Sequence, residues 1–194
     1  MAITLKEGSL EQLDCKVYPL SSKELGVLQQ ALNEDLAKGY IKHRTSSFIS
    51  LIFFIPKKDR EELWMVIDYR KLNNLTKKDF YPLPNLYTKL EKLSKFQLFS
   101  KFDICTGYNN IRIKNKDQYK AAFKTLLRTF VPTVMTFGFC NALLIFQRAM
   151  NQDLEPLKQK YSNNFTNYMD NIAIGTENSP NSQKLHKEIV HEFF

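Results

Sequence analysis

Two carboxylates stand where a sheet would present them at its edge. Asp103 closes the apolar run "QLFSKFD", just before the turn "ICTG". Asp170 sits between two short apolar stretches in "NFTNYMDNIAIGT", residues 163–175, with Asn171 beside it. Two such carboxylates brought together can hold a pair of divalent cations, the usual device for phosphoryl transfer. Hard oxygen ligands suit Mg²⁺. An Asp before a turn is also an ordinary turn former, and Asp-Asn is a common turn pair, so spacing alone leaves both readings open.

Other residues could serve the same chemistry, each with a plainer use. Lys57 and Lys58 stand in a charged turn between strands, placed to clamp phosphates or simply to solvate a hairpin tip. Arg70 follows the run "LWMVIDY". Tyr108, five residues beyond Asp103, offers a stacking surface or a core ring. Phe137-Gly138 precedes an apolar helix, where glycine would let a nucleotide approach the backbone or merely end a strand.

Composition sets the bounds. The 194 residues are 43% hydrophobic and 25% charged, ordinary for a globular chain. Lys and Arg outnumber Asp and Glu by 28 to 20. The excess is uneven: Lys89 to Arg128 holds ten Lys/Arg and three Asp/Glu. A basic surface suits a polyanion, although lysines also solvate helix faces. Cys15, Cys105 and Cys140 lie far apart, against a disulfide framework or zinc knuckle. His43, His186 and His191 lack a metal-binding spacing and read as surface residues. The longest apolar run, "FISLIFFI", is too short to span a bilayer, and "MAITLKEGSL" lacks a signal peptide's apolar region. The expectation is an intracellular, reduced setting without a membrane.

The elements that must position these residues alternate irregularly, which reads as an α+β class. Residues 1–20 form an extended leader. A helix follows, with Ser21 and Glu24 as a capping box, Leu25, Leu28, Leu32 and Leu36 as a stripe, and Gly39 as the stop. "FISLIFFIP" and "LWMVIDYR" pair as a hairpin. Pro82 and Pro84 precede a short helix with Leu86, Leu90 and Leu93 on one face. "QLFSKFDI" is a strand, and "CTGYNNIRI" turns at Gly107 and returns as strand. Two strands lie around Pro132. An apolar helix capped by Asn141 is disturbed at its end by Pro156. A hairpin carries Asp170, and a last helix begins at "SQKLHKEIV".

In order and spacing, "KVYPLSSKELGVLQQALNEDLAKGYI", "FFIPKKD", "VIDYRKLN", "YPLPNL", "FSKFDICTGYNNIRI", "KAAFKT", "PTVMTFGFCNALLIFQRAMN" and "YMDN" resemble the reverse transcriptase domain of gypsy-class LTR retrotransposons. "GYNNIRI" and "PTVMTFG" are most similar to versions from fungal elements. The resemblance runs from about residue 14 to 194. It implies a right-hand polymerase fold, with residues 21–97 mostly fingers and 98–194 mostly a ferredoxin-like palm, partly interleaved. It further implies truncation before the primer grip and thumb. Asp103 falls on the first catalytic carboxylate, and Asp170 on the first Asp of a Tyr-x-Asp-Asp box whose Tyr is Tyr168. With the carbonyl of Ile104, these would hold two Mg²⁺. Tyr108 falls on the sugar-gate aromatic, Phe137 and Gly138 on the nucleotide pocket, Lys57 and Lys58 on the fingers loop, and Arg70 on a template contact. The implied partners are an RNA or DNA template with its primer, a dNTP, and other polyprotein domains.

The chain departs from that pattern at four places. Asn171 stands at the box's second Asp, Trp64 at the fingers Arg, Leu143 at a Pro, and Arg128 at a loop Gly. The reading is therefore an RNA-directed DNA polymerase domain with impaired catalysis. The alternative is a non-catalytic nucleic-acid-binding remnant of one.

Overall fold

A computed structural model describes residues 1–9, 12–13, 18–56 and 62–193. Lys57, Lys58 and Cys15 lie outside the described residues. In chain order the elements are α1 (Ser22–Ala37), β1 (Ile41–His43), β2 (Leu51–Pro56), β3 (Leu63–Asp68), α2 (Arg70–Leu75), α3 (Leu86–Leu93) and β4 (Leu98–Asp103). There follow β5 (Phe123–Lys124), β6 (Thr129–Pro132), α4 (Ala142–Asp153), α5 (Glu155–Lys160), β7 (Phe165–Tyr168), β8 (Asn171–Thr176) and α6 (Pro180–Phe193). They form two compact units, Met1–Asp79 with Tyr108–Ala142, and Phe80–Gly107 with Leu143–Phe194. The mixed α+β class follows from this element order.

In the first unit, α1 begins at the expected capping box. The Ser21 hydroxyl accepts from the Glu24 N–H at 3.3 Å, and the Glu24 carboxylate accepts from the Ser21 N–H at 2.8 Å. Two orphan N–H groups are thereby satisfied. Leu28 and Leu32 on its inner face are buried with Ile41, Ile52, Phe123 and Phe130. Gly39, at φ 68, turns the chain into β1, a conformation that costs glycine little. β2 and β3 pair antiparallel, Leu51 with Asp68 through Pro56 with Leu63. Period-two alternation sends Ile52, Phe54, Met65 and Ile67 to the α1 side and leaves Phe53, Ile55 and Trp64 exposed.

A second sheet in this unit has the order β1-β6-β5. The expected strands around Pro132 lie instead before it. β5 and β6 flank the 125–128 loop, and Pro132, which has no N–H to donate, closes β6. Arg128, standing where the resemblance implied a loop glycine, costs no turn. The Thr125 hydroxyl accepts from the N–H of Leu127 and of Arg128, each at 3.1 Å, so a side chain supplies what a glycine's freedom would have. The segment after Gly107 also differs from expectation. It is a 3₁₀ turn, Gly107–Asn110, followed by one bridge between Arg112 and Val134.

The second unit is a three-stranded antiparallel sheet, order β4-β8-β7, with α6 packed on one face. Phe165, Ile172, Ile174 and Ile189 form its buried centre. His186, expected at the surface, is buried here. Its Nε2 bonds the Ser100 hydroxyl at 2.8 Å and its Nδ1 the Thr176 hydroxyl at 3.1 Å. A neutral ring has one donor and one acceptor, and a hydroxyl satisfies either. Burial holds the imidazole below the ordinary histidine range. The unfolded chain therefore takes up this proton at a higher pH than the folded one. Stability from neutral His186 is fully present above the unfolded value of about pH 6.5 and is lost progressively as pH falls from there through the lower folded value. Thermal melts between pH 7.5 and 5 should show a loss that His186→Gln reduces; an identical slope in the variant overturns the assignment.

Three further expectations change. The Leu86, Leu90, Leu93 stripe of α3 is not buried, and Leu86 and Leu90 are exposed along with Phe80 and Tyr87. Asn141 directs its side chain away from α4. Its Oδ1 accepts from the Asp79 N–H at 3.0 Å and its Nδ2 donates to the Lys77 carbonyl at 2.9 Å. Pro156 sits in the first turn of α5, so it starts a short helix where α4 stops.

Candidate active site

The sheet of the second unit sets the carboxylates. β4 and β8 run antiparallel from Leu98–Thr176 to Asp103–Asn171, so Asp103 and Asn171 are cross-strand neighbours with their side chains on one face. The Ile104 N–H donates to the Asp170 carbonyl at 2.9 Å, which carries the pairing one residue further. Asp103, Ile104, Asp170 and Asn171 thus meet at one end of the sheet. The Asn171 Nδ2 donates to the Asp170 Oδ1 at 3.1 Å. Among the described residues no three His, Cys, Asp or Glu side chains cluster. The donor set is two carboxylates, an amide oxygen and backbone carbonyls, all hard oxygens that suit Mg²⁺ better than a soft metal.

Two residues beside this end adopt a left-handed backbone without being glycine, Thr106 at φ 54 and Met169 at φ 55. Such residues are uncommon and cluster at functional sites. Met169 and Asp170 form the two-residue loop of the β7–β8 hairpin, and Tyr168 pairs with Asn171 across it. The Met169 N–H donates to the Oε1 of Gln147 at 2.7 Å. Gln147 is completely buried. Sequence reasoning missed it, because a glutamine inside an apolar helix gives no sign of where it points. Gly107 shows the close packing of the Asp103 turn: a Cβ there would lie 2.6 Å from the Phe146 ring.

The first unit gathers an aromatic group. Trp64 lies edge-to-face with Phe137, centroids 6.1 Å apart, and Phe137 edge-to-face with Tyr108 at 4.6 Å. Gly138 follows at φ 98, and a Cβ there would press the Tyr69 ring at 3.3 Å. Asn73, also missed, pins this turn: its Nδ2 donates to the Gly138 carbonyl at 2.7 Å and its Oδ1 accepts from the Cys140 N–H at 2.8 Å. Arg70 opens α2 and is engaged bidentately by Asp68, Nε to Oδ1 at 2.9 Å and Nη2 to Oδ2 at 2.6 Å. That hydrogen bonding holds the Asp68 carboxyl below the usual carboxylate range.

The basic stretch is partly structural. Lys120 pairs with Asp117 at 2.6 Å and donates to the Ile3 carbonyl at 2.7 Å. Lys92 donates to the carbonyls of Ser162 and Phe165. Burial lowers the affinity of Lys89, Lys92 and Lys158 for their protons. No helix among the described residues is long and apolar enough to cross a membrane.

Comparison with known proteins adds three kinds of likeness. The family model described as reverse transcriptase (RNA-dependent DNA polymerase) matches residues 55–194. The retrovirus-related Pol polyprotein from transposon 297 of Drosophila melanogaster is 36% identical over 163 residues, 82% of this chain and 15% of that protein. The transposon Tf2-7 polyprotein of Schizosaccharomyces pombe is 30% identical over 181 residues, 93% of this chain and 13% of that protein. The chain therefore spans about one seventh of these relatives. Among solved structures, a prototype foamy virus protease-reverse transcriptase superposes with TM-score 0.80 at 19% identity, covering 98% of this chain and 25% of that one. A foamy viral protease-reverse transcriptase in complex with RNA/DNA hybrid gives TM-score 0.75 at 23% identity, covering 97% and 25%.

Proposed function

Because the chain belongs to the reverse transcriptase family, we propose that it is the RNA-directed DNA polymerase domain of a retrotransposon polyprotein, of gypsy class and fungal type, with an impaired catalytic edge. The observation that carries this reading is the register placing Asp103 opposite Asn171, with Asp170 bonded to Ile104 beside them. Residues 21–97 supply most of the fingers and 98–194 most of the palm. The partners are a template of RNA or DNA, its primer, a dNTP and other domains of the polyprotein.

Asp103 and Asp170, with the Ile104 carbonyl, are the residues that would hold Mg²⁺. When bound, the metal supplies positive charge to the triphosphate and lowers the pKa of the primer 3′-OH. The reaction joins that oxygen to the α-phosphate and releases pyrophosphate. Tyr108 presents its ring against a ribose 2′-OH, so that a deoxyribose is preferred. Phe137 and Gly138 border the nucleotide, the glycine leaving room beside its backbone. Lys57 and Lys58 offer charge to the phosphates. Arg70 is shared with Asp68, and its largely exposed side chain leaves N–H groups for a template phosphate. Trp64 stands where the family has a phosphate-binding arginine and offers only a ring face. Asn171 offers a carbonyl oxygen without the charge.

Primer extension with Mg²⁺ or Mn²⁺ tests the reading. Little or no extension is expected, and robust extension by this chain would refute the impairment. The second reading, a nucleic-acid-binding remnant, is favoured by the same two substitutions. Filter binding should then show log affinity falling linearly with log salt, and no binding at low salt removes it.

A further inference from the structure

We propose that Gln147 is a positioning residue, the one that sets the Met169–Asp170 loop for metal binding. This rests on reading that loop as part of the metal edge. In a two-residue hairpin loop the first loop N–H takes no part in the strand ladder, and where it is partly buried it is left without a ladder partner and favours a side-chain one. Here the loop's first residue is Met169, held at φ 55, where an L residue stays only if its surroundings fix it. Gln147 supplies that partner at 2.7 Å.

The glutamine is itself fixed. Its Nε2 donates to the Oδ1 of Asn151 at 3.0 Å, one turn along α4. The same Oδ1 accepts from Lys158 Nζ at 2.7 Å, and Asn151 Nδ2 donates to the Tyr81 hydroxyl at 2.8 Å. The Arg148 guanidinium lies over the Tyr81 ring, 4.8 Å from its centre. Asn151 thus ties α4 to α5 and to the segment before α3, and its fixed amide orients Gln147. Asp170 is then held from both sides: its own carbonyl by Ile104 of the β4 end, and the preceding N–H by Gln147. The backbone that carries the Asp170 carboxylate cannot shift away from the β4 end without breaking one of these bonds. Gln147 acts through the Met169 backbone, as residues behind a metal ligand commonly do.

Hydrogen exchange on the unmodified chain should find the Met169 amide as protected as the amides of β7 and β8. Exchange at the rate of an open turn overturns the proposal. Gln147→Met keeps the volume and removes the acceptor. It should weaken Mn²⁺ binding about tenfold, as loss of such a support typically does, with strand protection retained. Gln147→Glu keeps an acceptor toward Met169 but gives up the donor to Asn151, so it should bind more tightly than Gln147→Met and more weakly than the unmodified chain. Equal Mn²⁺ affinity in Gln147→Met and the unmodified chain overturns the proposal, as does Gln147→Glu binding as weakly as Gln147→Met. If Gln147→Met does not fold, the Met169 exchange and Gln147→Glu decide. If the unmodified chain binds Mn²⁺ no better than Asp103→Asn, the metal-edge reading fails instead, and Met169 exchange alone decides whether Gln147 holds the loop.

Discussion

Asn171→Asp is expected to raise the affinity for Mn²⁺ about thirty-fold. Asn171 faces Asp103 across the β4–β8 ladder and donates from its Nδ2 to the Asp170 Oδ1. The amide therefore withholds a charge and also occupies a lone pair that a cation would use. A unit-charge pair about 4 Å apart at an effective dielectric of about 20 is worth roughly 4 kcal/mol, and a divalent ion doubles that gross figure. If desolvation and the repulsion of the new carboxylate cancel three quarters, about 2 kcal/mol remains, close to a thirty-fold change. Titration calorimetry on both chains gives the ratio directly. A ratio near one would mean that the sheet end does not gather cations at all. The hairpin itself should survive the change, because Asp and Asn serve turns equally.

The largest loss of stability is expected from Phe123→Ala. Its ring is fully buried in the first unit, stacked on Phe130 at 5.6 Å, in one core with Leu28, Leu32, Ile41 and Ile52. Removing a buried Phe ring costs about 3–5 kcal/mol through lost transfer and an unfilled cavity. Against a total of about 5–15 kcal/mol for a typical domain, that is a large share. Urea unfolding should show the midpoint fall with little change in slope. An unchanged midpoint would mean that Phe123 is not packed as described.

Much of the architecture was legible because its signals are local. The capping box at Ser21 and Glu24, the alternation of β2 and β3, and the hairpin that carries Asp170 each follow from near neighbours in the chain. The misreadings of His186 and Asn141 share one cause: the partner that decided the outcome was distant in sequence. His186 looks like a helix-surface residue until Ser100 and Thr176 meet it across a strand. Asn141 looks like a cap until its amide is taken by the 77–79 backbone. The α3 leucines look like a core stripe, although a stripe requires a partner surface that its own sequence does not specify.

The candidate site divides in the same way. Residue types alone offered Asp103 and Asp170 as carboxylates at strand ends, and the order of motifs implied their roles. The substitution at Asn171 was equally plain in the sequence, because it is a matter of which side chain is present. Only the tertiary structure decided what these residues do to one another. The β4–β8 register sets Asp103 against Asn171, and a one-residue slip would send it to the other face. Gln147 became visible only when α4 was laid beside the loop, because hydrogen-bond partners twenty-two residues apart leave no periodic trace in sequence. Chemistry of side chains is written residue by residue, whereas distance between them is set by packing of the whole unit.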